Sequence, residues 1–238
     1  MVQERLQMIV YPKSGKTRVG YFYIPDDEHF HKSLKQPLKK INSNEYGCPS
    51  VGGLYNRMYS LNALASVEVE FGVRDGEAYY EYEIDTKVHQ ATELMHNFLN
   101  DKLQVRLSNK GSCTLQFATP IIFVTDDKDL ELTLLQPQHN IDIDNAVFIN
   151  GGFYPYGWLR ILNAAYVQED INNPSKIKFD VDKEMYTIFF NKQINLYEIN
   201  PNKKILDYLE YSDRAINYHS NIKKIFKRVI KQRPKRML

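Results

Sequence analysis

Between Ser66 and Ile84 the chain holds two runs in which apolar and polar side chains alternate. Val67, Val69 and Phe71 alternate with Glu68 and Glu70, and Ala78, Tyr80, Tyr82 and Ile84 alternate with acidic or aromatic neighbours. A period of two is that of a half-buried strand, and Arg74-Asp75-Gly76 between the runs supplies a tight turn, so a β-hairpin is predicted. The period then changes. Val88, Ala91, Leu94 or Met95, Phe98 and Leu99 recur at three- and four-residue spacing, which predicts a helix over 86–100 with Thr86 as its N-cap.

Beyond the helix the apolar runs are short, β-branched or aromatic, and bounded by turns. They cover Leu103–Leu107, Cys113–Ala118, Ile121–Val124, Leu130–Leu135, Trp158–Val167, Lys176–Val181, Met185–Phe190 and Ile194–Ile199. Turn signals about every 8–12 residues are those of a sandwich or barrel. At the start, Leu6–Tyr11 and Thr17–Ile24 flank the turn chemistry of Pro12–Lys16, which predicts an opening hairpin. The fold expected is mainly β with α+β character at its margins: an antiparallel β-sandwich or jelly-roll-like barrel, with one internal helix. It spans residues 1–202 and carries a long polar loop excursion at 25–57.

Residues 203–238 read differently. Ile205, Leu206 and Leu209, then Ile222, Ile225, Phe226, Val229 and Ile230, fall at i, i+3, i+4, i+7 and i+8, and the second cluster is an amphipathic helix stopped by Arg233-Pro234. Its polar face is basic. Lys223, Lys224, Lys227, Arg228, Lys231, Arg233, Lys235 and Arg236 stand in 221–238 without one acidic residue, so the formal +2 of the chain hides a body of net charge −6.

Composition sets bounds on these elements. With 238 residues, 43% hydrophobic, 17 Tyr and 12 Phe, the chain can bury a core and is not a disordered segment. Two cysteines, Cys48 and Cys113, build no disulfide scaffold and point to a reducing compartment. The first residues lack a signal peptide's basic and apolar regions, and no run approaches the ~20 apolar residues of a membrane span, so a cytoplasmic location without a transmembrane segment is expected. Scarce Gly and Ala beside abundant Lys, Asn, Ile and Tyr reflect AT-rich coding.

Several patterns invite a chemical reading. Ser14-Gly15-Lys16-Thr17 ends like a phosphate-binding loop, but Val10 stands where the first glycine belongs and a strand follows, which leaves a hairpin turn. In Glu28-His29-Phe30-His31 the two imidazoles share one face of an extended segment and would begin an iron or zinc site, with the third ligand among His89, His96, His139 and His219 or a carboxylate. A polar loop is the simpler reading. Cys48, between Gly47 and Pro49, is a candidate thiol nucleophile, and Cys113 reads as core. The acidic runs Asp126-Asp127 with Asp129, Asp142 with Asp144, and Asp26-Asp27-Glu28 lack the pattern of a calcium loop and read as solvated turns. Glu68/Glu70 and Glu81/Glu83 each put two carboxylates on one strand face, as paired-acid hydrolysis needs, and suit an exposed sheet equally well. Gly152-Phe153-Tyr154-Pro155-Tyr156-Gly157-Trp158 is the densest aromatic cluster, either a rigid contact loop or the plug of the β core.

The strand order through Trp158–Tyr166, Lys176–Phe179 and Met185–Asn191 resembles that of a poorly characterised family of β-rich proteins encoded by tailed phages and some bacteria, over about residues 48–201. The resemblance implies a viral gene product with a jelly-roll-like sandwich and brings no catalytic residue with it.

The leading expectation is therefore a non-catalytic interaction or virion-associated protein of the host cytoplasm or virion, without a cofactor. It would contact protein partners through Phe153, Tyr154, Tyr156 and Trp158 and through Ile222, Lys223, Lys224, Phe226, Lys227, Arg228 and Lys231. Two alternatives stand beside it: an iron- or zinc-dependent enzyme on a double-stranded β-helix with His29 and His31 as ligands, and nucleic-acid binding through the basic tail. Oligomeric state is left open.

Overall fold

The computed structural model describes residues 16–23, 38–41, 52–118, 121–137, 142–149, 153–155, 163–181, 183–217, 222–234 and 236–238. Their sixteen strands and four helices run β1 (Thr17–Tyr23), β2 (Leu38–Lys40), α1 (Gly52–Tyr55), β3 (Met58–Asn62), β4 (Val67–Arg74), β5 (Glu77–Ile84), α2 (Glu93–Lys102), β6 (Leu103–Leu107), β7 (Cys113–Ala118), β8 (Ile121–Val124), β9 (Glu131–Leu135), β10 (Asp142–Asp144), β11 (Ala146–Phe148), β12 (Phe153–Pro155), β13 (Asn163–Gln168), β14 (Ser175–Phe179), β15 (Glu184–Phe190), β16 (Ile194–Glu198), α3 (Lys203–Asn217) and α4 (Ile222–Gln232). The strands form four sheets, ordered β16-β1-β8, β10-β14-β4-β5, β11-β13-β7-β6 and β12-β9-β15-β3-β2. The protein is a mainly β sandwich of open sheets. It is not a closed barrel: among the described residues each sheet ends in two edge strands and none closes on itself.

Local patterning explains much of this. In the β4–β5 hairpin Val67 pairs with Ile84 and Arg74 with Glu77. Asp75 and Gly76 both take positive φ, 54° and 83°, as a two-residue turn matched to strand twist requires. Inward Val69, Phe71, Ile177 and Phe179 of one sheet meet Leu115, Phe117 and Tyr166 of the facing one in a single core. Edge-to-face ring pairs stitch the two, Phe117 to Phe179 at 5.0 Å and Tyr166 to Phe179 at 5.7 Å. Asn145, with φ 54°, turns the chain from β10 in one sheet to β11 in the other; its amide donates to the carbonyls of Asp170 and Asn173 at 3.0 and 2.8 Å.

The three-stranded sheet is buried on both faces. Val19, Ile121 and Ile194 enter the main core, whereas Phe22, Ile122 and Val124 enter a second cluster with Ile205, Tyr208 and Leu209 of α3, Val229 of α4, and Met237. Strand alternation sends neighbouring residues of β1 and β8 to opposite cores. Residues after 202 thus share a core with the sheet, and they form two helices where one was expected.

Other expectations are corrected. The other strand of the expected opening hairpin, Leu6–Tyr11, lies outside the described residues; among them β1 pairs parallel with β16 and antiparallel with β8. The internal helix begins at Glu93, capped by Thr92, whose side chain accepts from the Met95 N–H, and Thr86 is no cap. Val88, taken as part of its apolar stripe, is exposed, so the apparent period began too early. The excursion at 25–57 holds β2 and the single turn α1.

Gly20 leaves room for the C-terminal residues. A Cβ there would stand 2.8 Å from Leu238 Cδ2 and 3.0 Å from Ile199 Cδ1. Gly20→Val improves strand propensity yet overpacks this contact, and we expect it to lower stability by about 1–3 kcal/mol. Urea unfolding measures this, and an unchanged midpoint would show that the C-terminal residues do not pack on β1.

Candidate functional site

Helix α4 has one side committed to the fold and one side bare. Val229 is 4% exposed in the second core, while Lys227, Arg228 and Lys231 are exposed. At 3.6 residues per turn, Lys227 and Lys231 stand one above the other, Arg228 lies beside them, and Val229 falls on the far side. None of these three cations has an ion-pair partner among the described residues. Lys223 and Lys224 lie on the same helix, one turn earlier, with Ile222 and Phe226.

Polar contacts hold the helix in this orientation. Tyr208 of α3 donates its hydroxyl to the Val229 carbonyl at 3.1 Å. Just past the helix, the Arg233 guanidinium donates to the Thr125 carbonyl. The backbone N–H groups of Met237 and Leu238 donate to the Asp126 carboxylate at 2.6 and 3.3 Å.

The acidic run 126–129 is thus a structural hub, where sequence had suggested solvated turns. Asp127 accepts from Lys192 Nζ at 2.9 and 3.0 Å, from the Thr17 hydroxyl at 2.8 Å and from the Asp129 N–H at 2.9 Å. Burial raises its pKa, but Lys192 and the other donors outweigh that and hold the carboxyl below its ordinary range. Thr17, the last residue of the phosphate-loop lookalike, opens β1 and makes this bond. The hub ties β1, β8, β16 and the C-terminal residues at one corner.

The remaining candidates are scattered. Phe153 and Tyr154 belong to β12, an edge strand paired with β9, rather than to a loop; Tyr156 and Trp158 lie outside the described residues. His29, His31, His139, His219 and Cys48 lie outside them too. Of the expected third ligands, His96 Nδ1 is 2.9 Å from the Tyr82 hydroxyl, and His89 Nε2 accepts from the Ser66 N–H at 3.0 Å. Among the described residues no three His, Cys, Asp or Glu side chains converge as a metal ion's ligands would. Cys113 is fully buried and its thiol is pushed up to about 11 by burial, as expected of a core residue.

The paired carboxylates sit on the outer face of the β10-β14-β4-β5 sheet, where Glu68 opposes Glu83 and Glu70 opposes Glu81. Lys176 approaches Glu70 and Glu68 at 3.4 and 4.0 Å, the Tyr79 hydroxyl donates to Glu70 at 3.0 Å, and Arg74 pairs with Glu81 at 2.9 Å. These are contacts of an open, charged sheet surface. Among the described residues no helix is long and apolar enough to cross a membrane.

His89 was singled out only as a ligand, and the structure gives it another role. Its neutral ring caps Ser66, whose carbonyl accepts from the Asp85 N–H and whose hydroxyl accepts from the Val181 N–H, joining the ends of β4 and β5 to the residues after β14. Burial lowers its pKa, with Asp85 raising it in part. A group whose native pKa is depressed resists the proton that the unfolded chain takes up, so its contribution is lost as pH falls below the ordinary histidine range. Urea midpoints should therefore drop between pH 7.5 and pH 5, and by less in His89→Gln; equal drops in both proteins would remove His89 as the cause. Comparison of the chain with family models, with curated proteins and with solved structures gives no match.

Proposed function

We propose that the chain is a non-catalytic interaction protein, of the virion-associated kind that the phage resemblance implies, and that it docks an anionic partner on the basic side of α4. One observation carries this reading. Val229 of α4 is buried in the second core, and among the described side chains what the helix offers outward is Lys227, Arg228 and Lys231, exposed and without an ion-pair partner among the described residues. Exposed like charges repel one another and contribute nothing to folding, so their concentration on one helix side favours a partner of opposite sign. The aromatic stretch adds little to this reading, because its described part is paired backbone of an edge strand.

The test is retention on immobilised heparin, a generic polyanion. Wild-type protein should elute at clearly higher salt than Lys227→Glu/Arg228→Glu/Lys231→Glu. A control with the same charge change at exposed Lys40, Lys87 and Lys110 should elute close to wild type. Equal losses in both triple variants would show that net charge alone, rather than α4, sets retention, and would overturn the reading.

A further inference from the structure

We infer that the anionic partner of α4 is the phosphate backbone of a nucleic acid. This deepens the reading of α4 as the contact surface and rests on it. Three classes of partner present negative charge: an acidic protein, an anionic membrane and a nucleic acid. They differ in what they need besides charge.

A protein interface of ordinary size has an apolar core and is depleted in lysine. Val229, the buried apolar side chain in the described part of α4, is 4% exposed and packs with Phe22, Ile122, Val124 and Tyr208, so it is not free to seed such a core. An interfacial helix must sink its apolar side into the lipid, and Val229 of that side is held in the protein's own core. A phosphate backbone needs neither. Its affinity comes from the release of condensed counterions, requires no apolar area, and grows with each lysine or arginine brought to a phosphate.

The presentation of the cations fits that demand. Lys227 and Lys231, four residues apart, are offset by about 6 Å along the helix axis with Arg228 between them, a ladder of charges facing one way. The helix cannot turn this ladder inward, since the Tyr208 hydroxyl holds the Val229 carbonyl at 3.1 Å and the Asp126 carboxylate holds the N–H groups of Met237 and Leu238. Preorganised cations lose little freedom on contact. Backbone contacts of this kind carry no sequence information, so binding is indifferent to base sequence.

Fluorescence polarisation of the full chain against a labelled 25-base-pair duplex of random sequence tests this, with the corresponding single strand, polyglutamate and phosphatidylserine vesicles as rival probes. We expect micromolar duplex binding at low salt. Three phosphate contacts imply a slope of about −3 in log affinity against log salt, and Lys223 or Lys224 would steepen it. The variant Lys227→Glu/Arg228→Glu/Lys231→Glu should bind at least tenfold more weakly with a flatter slope, its urea midpoint confirming that it folds; the wild-type slope tests the inference independently of any variant. A chain that binds polyglutamate or vesicles through the three residues, but not nucleic acid, would overturn the nucleic-acid assignment and leave α4 as the contact surface. Binding to none of the probes would overturn both. A duplex affinity equally weakened in the Lys40/Lys87/Lys110 control would also overturn both.

Discussion

The constraint on which the rest of the molecule depends is the burial of β1 on both of its faces. A strand at the surface can tolerate a polar side, but β1 must satisfy two cores at once, with Val19 in one and Phe22 in the other. Both of its edges are also taken, by β16 and β8, so its backbone groups are paired without recourse to water. Deleting either buried side chain would therefore disturb packing in one core and alignment in the other. Gly20 shows how little slack there is, because even a methyl group would press on the residues that close the second core.

The direction in which α4 displays its charges follows from that arrangement. The helix has no independent reason to face one way; it does so because the sheet offers Phe22, Ile122 and Val124 as a floor and the Asp126 carboxylate as a stop. Acidic residues play opposite parts at two places. On the outer sheet face Glu68, Glu70, Glu81 and Glu83 are open to water and only loosely matched by Lys176 and Arg74. At the 126–129 turn they are acceptors for buried or immobilised donors, and removing one would strand those donors.

How much of this was legible in the sequence depended on how local each feature is. The β4–β5 hairpin was readable to its turn, since alternation and Asp75-Gly76 both act within a few residues. Strands β6 to β9 and β13 to β16 were readable for the same reason, with ends shifted by a few positions at most among the described residues, but β10, β11 and β12 were not, Asp142 and Asp144 having read as a turn and Phe153 to Pro155 as a loop. What failed was non-local or ambiguous. Nothing near β1 announces that its partners lie at 121–124 and 194–198. β3 was missed because Met58–Asn62 follows an irregular stretch and is buried at nearly every position, which removes the alternation that would betray it. Thr86 was taken as the cap because Val88 extended the apolar period, whereas the helix starts at Glu93 and Thr92 accepts from the Met95 N–H. For the site, the basic side of α4 was evident from spacing, whereas spacing left open whether its apolar side packs on its own domain or on a partner, and Val229 packs on its own domain. Asp126, Asp127 and His89 were read as surface or ligand groups because sequence shows charge and not the donors that converge on it.

The pairing of β1 with β16 sets an order of events. Arg18 of β1 and Tyr197 of β16, whose side chains hydrogen-bond at 3.0 Å, are 179 positions apart, so β1 is held without its parallel partner until the whole of that span has been synthesised. The floor under α4 comes from β1 and β8, but α4 itself follows β16 in the chain. A chain in which α4 has not yet docked on that floor would carry its cations on an undocked segment with Val229 exposed.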